Sequence, residues 1–558
     1  MFGDCTRRLD ALAARWNTTR THVALAVVLV TLSRQTADGA AHVGTGGGRS
    51  LRLAFPPGLP LREAADRVAR HLPGAPGPLT VVTPNPESDL PERIEVEVAP
   101  GADGGLALRG TCAPRQMDRL VHALRHPYGP GGTVRDVPVA CPADEADLRT
   151  WEHAPAPMPA TTLDRAFARI ARAHPERVAV RLPDAPGTPP PTRRLTYGRA
   201  EAEASLLASA LVRSGVQLGE PVIVECENPA RAAIDLLAVL RAGAVCVPVG
   251  RASPERARQV AGLSGARWAL CAPRSRAVWE RHCRLPADPE GAPARDEPAV
   301  EGCLPRSDFT ETAFLLVEDG PGLPVRARLS AHTAWTSAIA ARIERIGRAS
   351  TGVVAGGDPS SPAGLSAMWW AFACGATLRW LGSSDPLTVP RDTGAGPPDA
   401  LFPPEGYGRL LDALDPDGCG EGIGAVVLTG APCDGDLVKR HFARSPGTRL
   451  LAEFSGDRGP LPWTARELTP ADAECRLLPN AGRPSDNVRL RVLDESGRSL
   501  PPGLIGEVCA DGGALPYELL LRDGAMARSL TGHDLRSGRL GQLRADGSLE
   551  LTGELPLG

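Results

Sequence analysis

The chain has 558 residues, with 62 lysines and arginines against 65 aspartates and glutamates and a formal net charge of −3. That balance excludes the basic footprint of a nucleic-acid or anionic-membrane binder, and 42 % hydrophobic with 23 % charged residues is ordinary globular composition. At roughly 100–200 residues per domain the length predicts about three or four globular units, large enough to fold without disulfides or metals.

The N-terminus, MFGDCTRRLDALAARWNTTR, contains no apolar signal-peptide core. The most apolar run, Val23 to Leu32, is far shorter than the ~18–20 residues that span a bilayer, so a cytoplasmic protein is expected. Residues 1–150 read as mixed α/β. Thr21 to Leu32 is apolar on every side and predicts a buried helix. Leu79 to Val82 and Ile94 to Val98 predict strands, and Arg115 to Leu124 predicts an amphipathic helix.

From residue 160 the pattern becomes α/β. Leu163, Phe167 and Ile170 recur at helical spacing behind a Thr162 cap, and His174-Pro175 stops that helix. LPDAPGTPPP (182–191) lies between two strand-like segments and predicts a long hairpin loop. Asn228-Pro229 starts a helix, because asparagine accepts from orphan amides and proline lacks only an amide that would go unpaired. Gly243 ends it, and AVCVPV (244–249) follows as a strand. Helix, glycine, strand is the grammar of a doubly wound sheet. Further Pro/Gly-rich stretches lie at 285–305 and 383–408, and no 20–50-residue repeat is visible.

Lys439 is the single lysine, so any chemistry that needs an ammonium side chain must use it. The 13 cysteines contain no C-x-x-C pair, which predicts buried thiols rather than a zinc site or a disulfide frame. GTGGGRS (44–50) lacks the lysine and the following helix of a phosphate loop, since LRLAF reads as a strand. His122 and His126 share a helix face without a third metal ligand. No G-x-S-x-G or H-E-x-x-H occurs.

A series of segments in fixed order is more specific. LTYGRAEAEASLLASALVRSGVQLGEPV (195–222), LAVLRAGAVCVPVG (237–250), VVLTGAP (426–432), GRP (482–484), VLDESGRSLPPGLIGEV (492–508) and RADGSLELTGE (544–554) resemble successive motifs of nonribosomal peptide synthetase adenylation domains. VGTGGGR, LTVVTPN, HALRHP and DVPVACPADEADLRTWEHAP in residues 1–150 resemble the C-terminal half of a condensation domain, without the half that carries HHxxxDG.

The resemblance implies an ATP-dependent activation of amino acids, with each task held by a recognisable residue. Triphosphate is held in the family by TSGTTGxPKG; here the segment is LLVEDGPGLPVRARLS (315–330). Glu318 and Asp319 replace small positions, Val325 replaces the lysine, and Arg326 follows it. A carboxylate ~4 Å from phosphate repels by about 4 kcal/mol per charge pair at an effective dielectric of ~20. Magnesium is held by the glutamate of NxYGPTE, where AEFSGDRG (452–459) places Arg458, with Glu453 and Asp457 as substitutes only in a rearranged loop. The ribose-binding aspartate of YRTGDLG becomes Arg539, with Asp534 available in a shifted register. The amino-group aspartate of FDxS becomes Pro362, with Asp358 nearby.

The expectation is an α/β chain in three parts. Residues 1–150 form a half condensation-domain lobe of chloramphenicol acetyltransferase-like fold, 151–162 a linker, and 163–558 a layered α/β adenylation core. The small C-terminal domain with its essential lysine, and the carrier domain, are expected to be missing after Gly558. Lys439 is not expected to replace that lysine, because GDLVKRHFARSPG (435–447) resembles scaffold. No catalytic, cofactor-binding or metal residues are assigned. The expected role is a non-catalytic scaffold in natural-product biosynthesis; the alternative is a divergent amino-acid-activating enzyme, using ATP and magnesium, completed by another chain. Expected partners are a synthetase or carrier protein, or a second copy bound through the half lobe, whose face toward the missing half must be covered, repolarised or left apolar.

Overall fold

The computed structural model describes the chain except for residues 1–2, 35–39, 45–49, 74–78, 84–91, 101–105, 130, 152–154, 184–192, 287–305, 321–322, 383–395, 414–421, 457–458, 475–478, 496, 523–524, 529–534 and 556–558. It divides into two compact units. The first comprises Met1–Glu152, Arg491–Cys509 and Gly538–Gly558; the second comprises His153–Leu490 and Ala510–Ser537.

In the first unit, helices α1 (Gly3–Trp16), α2 (Arg20–Ser33), α3 (Leu61–His71), α4 (Pro114–Arg125) and α5 (Pro142–Trp151) accompany an antiparallel sheet. Its strands are β1 (Ala40–Gly44), β2 (Ser50–Ala54), β3 (Leu79–Thr83), β4 (Glu92–Pro100) and β5 (Leu106–Thr111), in the order β2-β1-β3-β4-β5. The Thr19 hydroxyl accepts from the His22 amide and caps α2. Every residue of α2 from Val23 to Ser33 is buried, as its all-round apolar surface requires.

The sheet alternates. Ala41, Val43, Leu79, Val81, Ile94 and Val98 belong to the buried core with α2. The cross-strand sets His42–Arg52, Thr80–Glu95–Thr111 and Glu97–Arg109 occupy the other face, and none of these side chains is buried. Among the described side chains, these positions are polar. Later chain segments are pinned to the unit by arginines. Arg34 Nη2 lies 2.6 Å from Asp494, and Arg119, held by both oxygens of Asp144 at 2.8 and 2.9 Å, donates to the Pro502 carbonyl at 2.9 Å.

The second unit is built on two sheets. Its strands are β6 (Val178–Arg181), β7 (Arg194–Thr196), β8 (Pro221–Glu225), β9 (Val245–Val249), β10 (Trp268–Leu270), β11 (Thr312–Gly320) and β12 (Leu323–Ala331). They continue with β13 (Gly352–Gly356), β14 (Thr377–Leu381), β15 (Asp399–Phe402), β16 (Ala425–Gly430), β17 (Arg449–Phe454), β18 (Thr464–Leu468) and β19 (Arg483–Pro484). Near the end of the chain come β20 (Arg489–Leu493), β21 (Gly506–Asp511), β22 (Tyr517–Arg522), β23 (Ala525–Arg528), β24 (Leu535–Leu543) and β25 (Leu549–Glu554). One sheet runs β19-β18-β17-β16-β15-β13-β14-β6-β7 and the other β10-β8-β9-β11-β12-β22-β23; β20-β21-β24-β25 form a small separate sheet that belongs mainly to the first unit.

The helices are α6 (Leu163–Ala173), α7 (Tyr197–Arg213), α8 (Pro229–Arg241), α9 (Pro254–Ser264), α10 (Arg276–Trp279), α11 (His332–Ile346), α12 (Pro362–Cys374), α13 (Pro404–Ala413) and α14 (Gly435–Arg444). Their ends follow local chemistry. Thr162 accepts from the Arg165 amide, and Asn228 Oδ1 accepts from the amides of Ala230 and Arg231. Gly243 takes φ +74°, which lets the chain leave α8 and enter β9 directly. β9 lies between β8 and β11 and is buried at all five residues, hence its unbroken VCVPV. β6 and β7 pair antiparallel, as the proline-rich loop between them predicts; residues 184–192 of that loop lie outside the described residues. Among the described residues no helix is long and apolar enough to cross a membrane.

Candidate functional site

Of the positions implicated by sequence, Asp358 and Pro362 follow β13 and Glu453 lies near the carboxyl end of β17. After β13 the chain turns at Gly357, with φ +88°. Asp358 Oδ1 accepts from both the amide and the hydroxyl of Ser360 at 2.8 Å, forming a side-chain-closed turn. Ser361 then caps α12, and Pro362 is its first residue. Pro362 is thus a helix starter where the family resemblance requires an aspartate, and Asp358, exposed, holds the turn in front of it. A Cβ on Gly364 would come 2.6 Å from the Asp358 carbonyl, so the close approach of turn and helix requires glycine there.

At β17, Glu453 is fully buried and gripped by Arg342 of α11, with Nε at 2.9 Å and Nη2 at 2.6 Å from its two oxygens. Nη2 also donates to Ser366 at 3.0 Å, and the guanidinium lies 5.2 Å from the centre of the Trp370 ring. This carboxylate is committed to an internal cation and is not available to a metal ion. Asp457 and Arg458 lie outside the described residues. The Ser455 amide donates to the Gly430 carbonyl at 2.9 Å, binding the ends of β16 and β17 together. The hydroxyls of Thr429 and Ser455 are buried there without a partner.

The segment aligned with the triphosphate loop is a β-hairpin. β11 and β12 pair from Thr312↔Ala331 down to Glu318↔Arg326 and Gly320↔Leu323. Amides in such a ladder alternate in direction and serve the partner strand, whereas a phosphate cradle needs successive amides converging on one point. The side chains of Glu318, Asp319, Val325 and Arg326 lie outside the described ones. In the first unit, Arg539 of β24 is opposite Glu554 of β25, with Nη2 3.0 Å from its carboxylate. A guanidinium has only donors, so it cannot accept from a ribose hydroxyl. Asp534, with the rest of residues 531–534, lies outside the described residues.

The remaining candidates stay apart from these positions. Lys439 is exposed on α14. His122 is on α4 and His126 caps that helix, edge-on to Tyr128 at 5.1 Å. Gly44 and Ser50 are paired ends of β1 and β2, and residues 45–49 between them are not described. Among the described residues no group of three His, Cys, Asp or Glu side chains could hold a metal ion.

Sequence reasoning missed a cavity of about 870 Å³ in the second unit. It opens beyond the carboxyl ends of β6, β8, β10 and β14, at the N-terminus of α8, and Glu225, Asp235, Leu270, Cys271 and Trp380 are among its lining residues. Burial raises the Asp235 carboxyl to about 6 despite its contact with Arg231, and raises the Cys271 thiol to about 11, with Glu225 adding to the effect. The one local signal was Asn228-Pro229, which places a helix start at the end of a strand.

Residues 167–321 match the model of a family described as AMP-binding enzyme. That stretch lies within the second unit. It is 29 % identical over 469 residues to a probable non-canonical nonribosomal peptide synthetase, CymA, of Salinispora arenicola, an alignment covering 78 % of this chain and 6 % of that protein. It is 28 % identical over 423 residues to novobiocin biosynthesis protein H of Streptomyces niveus, covering 68 % of this chain and 65 % of that one. The chain therefore spans only part of either relative. The fold is similar to that of the nonribosomal peptide synthetase FmoA3, solved with alpha-methyl-L-serine-AMP, at a TM-score of 0.74 and 18 % identity over 99 % of this chain and 71 % of that one.

Proposed function

We propose that this chain is a synthetase-like component of natural-product biosynthesis whose adenylation-type core binds partners and does not form adenylates. The observation that carries this reading is the Arg342–Glu453 pair, which consumes a carboxylate that could otherwise have substituted at the metal position. The other positions support it. Arg539 is engaged by Glu554, Pro362 opens a helix, and the phosphate-loop segment is a strand ladder. These residues do not fit a magnesium nucleotide.

In this reading residues 1–150 are the C-terminal half of a condensation domain, followed by a linker and an adenylation-like core from 163. The likeness to FmoA3 runs over nearly the whole chain and supports a synthetase origin for the first part as well. The partner would be a carrier protein or another synthetase module. The direct test of the chemistry is amino-acid-dependent exchange of pyrophosphate into ATP, run with each of the common amino acids. No exchange above a protein-free control is expected; exchange with any one of them overturns the reading.

A further inference from the structure

We infer that the cavity beyond β6, β8, β10 and β14 binds a small organic amine, a protonated ammonium on an apolar skeleton. This goes beyond the proposed function, since the cavity shares none of the nucleotide positions. Its volume of about 870 Å³ lies within the range of small-molecule sites. The ends of parallel strands are also where α/β folds place their ligands.

The charge pattern selects the ligand. Four arginines are among the lining residues: Arg231 is answered by Asp235, Arg274 by Glu227 and Arg276 by Glu280 at 2.9 Å, and Arg193 also has a partner. Glu225 is different. It ends β8 at 5 % exposure; its Oε2 accepts from the Ala272 amide at 3.0 Å, while its Oε1 is buried without a partner. A buried carboxylate oxygen with no donor is costly, and an ammonium from a ligand supplies both the donor and the compensating charge. Leu207, Leu270, Trp380 and Leu381 provide the apolar wall for the rest of the molecule.

The test uses two probes of one skeleton and opposite charge, phenethylamine and phenylacetate, titrated calorimetrically into the full chain. Saturable binding of the amine is expected, with the acid about tenfold or more weaker. Glu225→Gln keeps an acceptor for the Ala272 amide and should weaken the amine by a similar factor. Leu270→Trp should abolish binding by filling the cavity with Glu225 intact, and it carries the test if Glu225→Gln does not fold. Equal binding of amine and acid, no binding of either, or an unchanged affinity in a folded Glu225→Gln or Leu270→Trp protein would overturn the inference. None of these outcomes depends on ATP, so a failure here leaves the reading of the nucleotide site standing, and the reverse also holds.

Discussion

Two sets of strand ends in the second unit have opposite characters. At β13, β16 and β17, two charges among the described residues are answered from within: Glu453 by Arg342, and Asp358 by the turn it closes. At β6, β8, β10 and β14 a cavity remains open and one oxygen of Glu225 has no partner. Both sets sit on well-capped helices and buried strands, so the scaffold does not separate them. What separates them is whether the chain has supplied its own counter-charge. A shared fold therefore says where a ligand could bind, and only the pairing of individual side chains says whether one is still needed.

The largest effect should come from breaking the closed end. Arg342→Ala leaves Glu453 buried and unpaired, and should cost about 3–5 kcal/mol in urea unfolding. Arg342→Met combined with Glu453→Leu should cost far less, because it removes both charges and keeps the volume. Similar losses for the single and the double variants would show that the pair matters only as packing.

Two buried titrating groups give the next largest effect, with opposite signs. Burial raises Asp235 from 3.8 to about 6. Between those values the folded chain keeps a proton that the unfolded chain has lost, so this group makes stability fall as pH rises. Burial lowers His332 from 6.5 to about 4, with Asp164 and Asp308 opposing the shift. There the unfolded chain binds the extra proton, and stability rises with pH between about 4 and 6.5. In the parent the two trends oppose each other, and single variants separate them. Relative to the parent, Asp235→Asn should gain about 3 kcal/mol between pH 4 and 7, and His332→Gln should lose about as much over the same range. Denaturant melts at several pH values check both; a flat difference for Asp235→Asn would mean that the cavity wall is wetter than its burial indicates.

The smallest effect belongs to the first unit. Arg539→Ala should change stability by less than about 1 kcal/mol, because Glu554 is 71 % exposed and solvent screens the pair. A larger loss in an unfolding titration would mean that Arg539 supports β24 through more than this contact.

Much of the scaffold was legible because its signals are local. Thr162, Asn228-Pro229, Gly243 and the unbroken apolar strand after it each act within a few residues, and each element formed where that chemistry points. The family motifs carried the positions of Pro362 and Arg539. The committed state of the site was not legible, because AEFSG contains nothing that names Arg342, a partner 111 residues earlier in the chain. The cavity was hidden for the same reason: its walls come from strands and loops spread between Leu182 and Gly382, and no stretch of sequence shows a space.

Thermal unfolding of the full chain against rising Mg-ATP tests most directly whether the chain itself closes the nucleotide positions. A ligand at about 100 times its dissociation constant stabilises by about 2.7 kcal/mol, enough to move a melting temperature visibly. Closed positions predict an unchanged melting temperature up to millimolar Mg-ATP. A saturable rise that needs both the nucleotide and the metal would contradict the account.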